Sequence, residues 1–192
     1  MFAADINKEL VDGIKRNDIN KIRYALDNAA NVNYIVQDEM NVLMLAADKG
    51  NLDACKLLAE KRCNMHKLDH YGWNALFYAT NKGHYDIVKF LIDKKADINI
   101  KDKDNNTPLI KAALNGFYDI ARELIQKRAD LNAKNLDGDT ALISASSKGH
   151  AEIVKLLLES KADTSIVNKN NNSALTYASF KGYSEIIELL KV

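Results

Sequence analysis

An all-α repeat solenoid, made of helix–turn–helix units linked by short β-hairpin loops, is the fold this sequence predicts, on three observations. Gly50, Gly83, Gly116, Gly149 and Gly182 recur every 33 residues without insertion. Leucines stand seven residues before each of them, from Leu43 to Leu175, and small residues four before, from Ala46 to Ala178. A single proline in 192 residues favours helices with short connections over extended β architecture. A fixed period of this length marks stacked supersecondary units. One step earlier, Leu10, Gly13 and Asn17 hold the same registers in a degenerate first copy. The units run approximately over 1–35, 36–68, 69–101, 102–134, 135–167 and 168–192 of one repeat domain spanning 1–192.

Within a unit the elements follow in order. Nine residues before the glycine stand Asn41, Asn74, Thr107, Thr140 and Ser173, whose side-chain oxygens can accept from free N–H groups at a helix start. The first unit has Lys8 there. Pro108 follows Thr107 as first helical residue, where a missing N–H costs nothing. A helix of about two turns then reaches the glycine, which supplies a left-handed end. The second helix carries paired apolar residues, such as Ile87-Val88 with Phe90-Leu91-Ile92, in one stripe of helical period. The chain leaves it at Ala96-Asp97, Ala129-Asp130 and Ala162-Asp163. Roughly ten polar residues follow, too short for a helix and suited to an extended hairpin.

Helix, turn, helix and hairpin at this period resemble the ankyrin repeat. The residues that carry the likeness include Thr107-Pro108-Leu109, Gly83-His84-Tyr85-Asp86-Ile87-Val88 and Ala96-Asp97-Ile98-Asn99. The histidine usual after the family's Thr-Pro-Leu is replaced by Met44, Phe77, Ile110, Ile143 or Thr176. The resemblance implies that hairpin tips and first helices line a concave groove, with second helices on the back. It implies a non-catalytic protein–protein interaction module whose partner is another protein.

Composition narrows the alternatives. The chain is 47% hydrophobic and 28% charged, enough apolar surface for a packed core, and lacks a membrane-length apolar run. Its net charge of +1 and few arginines argue against nucleic-acid binding as a global property, leaving a local patch as the competing reading. No glycine-rich phosphate loop, nucleophile elbow or His-Glu-x-x-His is present, so the chain reads as a monomeric non-enzyme without cofactor or metal. Cys63, His66 and His70, with Cys55 upstream, imitate zinc spacing. The period accounts for them otherwise: Cys63 matches Ala96 and Ala129, Cys55 matches Val88 and Val154, and His66 matches Asn99 and Asn132. Local turn hydrogen bonding accounts for His84 and His150, and inter-repeat packing for Tyr78 and Tyr177. Two reduced thiols fit the cytoplasm, with export as the alternative if Met1-Phe2-Ala3-Ala4 is the stump of a leader.

Two features suggest a partner surface. Lys49, Lys82, Lys148 and Lys181 each precede the turn glycine, where they would rim the groove as well as complement a helix C-terminus. His70, Tyr71 and Trp73 occupy a hairpin tip that is polar in other units, and Met40 holds the register of Trp73 one unit earlier. The sole tryptophan on an exposed tip is where an interface anchor is expected.

Overall fold

The computed structural model describes residues 5–191; the leader alternative at residues 1–4 lies outside the described residues. The chain divides into two compact units, Met1–Asp97 and Ile98–Val192. The first holds α1 (Ile6–Arg16), α2 (Ile19–Asp27), β1 (Ile35–Gln37), β2 (Met40–Asn41), α3 (Val42–Asp48), α4 (Leu52–Glu60), α5 (Ala75–Lys82) and α6 (Tyr85–Asp93). The second holds α7 (Pro108–Asn115), α8 (Tyr118–Gln126), α9 (Ala141–Lys148), α10 (Ala151–Glu159), α11 (Ala174–Lys181) and α12 (Ser184–Leu190). Each unit is therefore three helix pairs, and no described helix is long and apolar enough to cross a membrane.

The helix starts follow the capping logic. Asn41, Asn74, Thr107, Thr140 and Ser173 accept from the backbone N–H of Met44, Phe77, Ile110, Ile143 and Thr176. The first unit departs from the expected register. Lys8 lies inside α1, and Asp5 is the cap, accepting from Asn7 N–H. Lysine has no acceptor to offer there and Asn7 Oδ1 accepts from Asn31 N–H, so the helix extends back to Asp5. At the other end Asn17 substitutes for glycine in the left-handed region, with φ 56°. The second helices end on a device the sequence did not advertise. Ala29, Arg62, Lys95, Arg128 and Lys161 all have φ between 61° and 68°, a left-handed stop built without glycine.

The polar linkers close as hairpins in two ways. Among the described residues only β1 and β2 pair as strands, antiparallel, with Ile35 opposite Asn41 and Gln37 opposite Met40. Their turn residues Asp38 and Glu39 both have positive φ, the geometry whose twist matches a two-stranded ribbon. Elsewhere the tip is held by a side chain. Asp69 Oδ1 accepts from the N–H of Tyr71 and Trp73, Asp102 from Asp104 and Asn106, Asn135 from Asp137 and Asp139, and Asn168 from Asn170 and Asn172. Val36 occupies this register in the strand-forming hairpin. Valine cannot accept, so that tip relies on backbone pairing without a side-chain lock; the other four add the Asp or Asn side chain to one backbone bond across the tip, from Asp69 N–H to Trp73 O and its counterparts.

The core lies between the helices of each unit. Leu43, Leu76, Phe77 and Leu91 are at most 1% exposed in the first unit, as are Leu109, Ile110, Leu142 and Leu157 in the second. Each such side chain is worth about 1.5–3 kcal/mol of burial.

Candidate functional site

The turn between paired helices is fixed by a reach to the preceding pair. His84 Nε2 bonds the carbonyl oxygen of Asp48 at 3.1 Å, and His150 Nε2 that of Leu114 at 3.3 Å. Asn51, in the same register, donates from Nδ2 to Ile14 O. These bonds span from one helix pair to the next, correcting the local-turn explanation of the histidines. They also explain the glycine. A Cβ on Gly116 would sit 2.6 Å from His150 Cε1, so the ring needs the space as much as the turn needs φ +77°.

The tips are likewise tied between neighbours. His70 N–H donates to Asp38 O in the first unit; Leu136 N–H donates to Asp104 O and Lys169 N–H to Asp137 O in the second. Asn33 accepts from the N–H of Asn64, Asn99 from Asp130 and Asn132 from Asp163. Hairpin tips in this chain are hydrogen-bonded platforms whose backbones are tied to their neighbours.

The aromatic tip is assembled differently from its expected form. Trp73 is half-buried, its ring 4.9 Å from Phe77 and 5.1 Å from Tyr78, so it covers the start of α5 and is not an exposed anchor. Hydrophobic area drives this: a large ring beside an apolar helix start lowers exposed area by folding onto it. Tyr71 remains 53% exposed, with His70 edge-on to it at 5.7 Å and Trp73 at 6.5 Å. Met40 is half-buried on β2, beside the cap Asn41. Beneath the tip, Tyr78 O–H donates to Asp69 Oδ2 at 2.6 Å. Burial first, and that carboxylate second, push the Tyr78 phenol well above its ordinary range. Its register mate Tyr177 accepts from Asn168 Nδ2.

The lysines do not share one setting. Lys49 and Lys82 both pair with Asp48, at 3.0 and 3.7 Å, so their charge is partly offset within the first unit. In the second unit Lys148 is exposed, and Lys181 Nζ lies over the ring of Phe180 at 5.8 Å. Sequence reasoning missed a groove of about 450 Å³ between the tips of units four and five and helices α7 and α9. Its walls include Asp104, Asp137 and Asp139 with Ile110, Leu114 and Leu136. The signal was present in the period: Leu136 stands where other units have Gln37, His70, Lys103 and Lys169.

Nothing at Cys63 resembles a metal centre. Cys55 and Cys63 are buried and unbridged, His66 and His70 are exposed, and no three His, Cys, Asp or Glu side chains among the described residues come together to hold an ion. Burial pushes the Cys55 thiol up to about 12 and the Cys63 thiol up to about 11, so both are inert thiols near neutral pH.

The family model for ankyrin repeats matches three times, over residues 10–102, 43–135 and 109–191. The chain belongs to the ankyrin repeat family. Ankyrin repeats generally mediate protein–protein interaction and are typically non-catalytic scaffolds. No curated protein matches this chain at a significant level.

Proposed function

We propose that this ankyrin protein is a non-catalytic binding module that engages another protein on the face made by its hairpin tips and first helices. One observation carries the reading: the tips are locked by buried or half-buried Asp and Asn side chains while Tyr71 and Leu136, next to those locks, stay exposed. Exposed apolar side chains on a preorganised backbone cost less ordering entropy on binding, which suits an interface. Met40, His70, Tyr71 and Trp73 would form its first-unit part, with Tyr71 the accessible ring and Trp73 its support. Lys49, Lys82, Lys148 and Lys181 would stand at the rim and tune association through screened charge. Nucleic-acid binding finds little support, since two of those four lysines already share Asp48.

The test is site-specific cross-linking. A photoreactive amino acid placed at Tyr71 should yield covalent adducts in lysate of the source cell. The same group at Lys89, exposed on α6, should not. Adducts from Lys89 alone would move the interface to the second helices and overturn the proposal.

A further inference from the structure

We infer that the groove between the tips of units four and five and helices α7 and α9 receives an extended, cationic segment of the partner that carries a leucine-like side chain. The inference rests on the tip-face reading above and gives the partner a chemistry opposite to the one the four lysines suggest.

Four observations converge. The groove is a real concavity of about 450 Å³, bounded on one side by tip residues and on the other by α7 and α9. Leu136 is 47% exposed at its mouth, and Leu114 is half-buried in its wall, so an apolar side chain gains area on entering. Asp104 and Asp137 are exposed, Asp139 is half-buried, and none of the three makes an ion pair among the described residues; Asp139 Oδ1 accepts only from the neutral Asn168. Finally, the backbone that carries the carboxylates is tied in place. Asp104 and Asp137 sit on tips whose backbones are bonded to Leu136 and Lys169, and Asp139 N–H is held by Asn135. Three negative charges around an apolar notch complement lysine or arginine flanking an aliphatic side chain, and repel an acidic segment. The one cation in the lining, Lys111, is on the helix side and leaves the sum of the lining negative.

Fluorescence anisotropy on the full chain tests this with three labelled short peptides: one of alternating lysine, leucine and serine, one with glutamate for lysine, and one with serine for leucine. Methyl NMR of Ile110, Leu114 and Leu136 reports where they bind. The lysine–leucine peptide should bind best, weaken as salt rises, and shift those methyls. Asp104→Asn with Asp137→Asn should weaken it about tenfold, and Leu136→Ser should weaken it comparably, with unchanged melting in both cases. Lys155→Gln, exposed on the second helix α10, should not weaken it. Affinity unchanged in both groove variants overturns the inference. Tighter binding of the glutamate peptide with shifts at the same methyls also overturns it, while leaving the tip face as the interface. Shifts confined to the second helices with every peptide would overturn the inference and the tip-face reading together.

Discussion

Ser146 and Thr80 each bury a hydroxyl completely, at 0% exposure and with no hydrogen-bond partner. Ala47 and Ala113 fill the same register in neighbouring repeats, also at 0%, so the surrounding core accepts a methyl without rearrangement. Removing a desolvated, unpaired hydroxyl should therefore help: Ser146→Ala is expected to raise stability by about 1 kcal/mol in urea denaturation. A loss would show that the hydroxyl has a partner. Trp73 moves the other way. Because its ring covers the fully buried Phe77 and Tyr78, Trp73→Ala should lower stability by about 2 kcal/mol, roughly half the cost of a fully buried ring. Melting unchanged from the parent would return Trp73 to the role of an exposed anchor. The sequence placed Trp73 next to its cap correctly, yet its direction was not legible. Whether a ring at a tip points outward depends on the three-dimensional closeness of Phe77 and Tyr78, four and five residues on, after the chain has turned.

At the scale of elements, α1 and α2 are joined by a charged cluster: Lys21 Nζ lies 2.6 Å from Asp12 and 2.7 Å from Glu9, with Arg16 2.8 Å from Asp12. The Lys21 ammonium, hydrogen-bonded to Asp12, holds that carboxyl below its ordinary 3.8. A lowered carboxyl contributes stability that is present above pH 3.8 and is lost as pH falls through the folded value. Hydrogen bonds to Asp12 and Glu9 raise Lys21 above 10.5, so its share is present below that pH and fades as pH rises through the raised value. Asp12→Asn should flatten the acid limb of a stability–pH curve; an unchanged limb would assign acid sensitivity to other groups. The left-handed ends of the second helices give a further expectation. Arg128 has φ 68° and an exposed side chain, so Arg128→Gly relieves a penalty of about 1–2 kcal/mol against a glycine entropy cost of about 0.5–1. A net gain of about 0.5 kcal/mol should appear as a higher melting temperature, and a fall would mean that the arginine stem packs. First-helix caps were readable because a capping oxygen is a local requirement. These left-handed stops were not, because Arg and Lys carry no mark of the conformation imposed on them by the next repeat.

Over the whole molecule, burial falls in the last helix pair. Helix α3 buries six residues, whereas α11 buries Ala174 and Ala178 and α12 buries Ile186 alone. In arrays that draw stability from nearest neighbours, amides of α11 and α12 should exchange with solvent first, and uniform protection would contradict that grading. The repeat architecture was legible, since a 33-residue period repeats most packing constraints, whereas the cap of the degenerate first copy and the tip locks were not. The negative groove was hidden because Asp104, Asp137 and Leu136 look like ordinary loop residues until two tips are set side by side. The inter-repeat bonds have a consequence beyond rigidity. His150 reaches 36 residues back to Leu114, Asp163 reaches 31 to Asn132, and Lys169 reaches 32 to Asp137, each offset tied to the same period. Such a chain can be edited in whole periods. Duplicating or excising a multiple of 33 residues keeps the repeat registers aligned, while a change of another length breaks the inter-repeat bonds that span it. The hydrogen-bond register between neighbouring copies thus acts as a proofreader of repeat length.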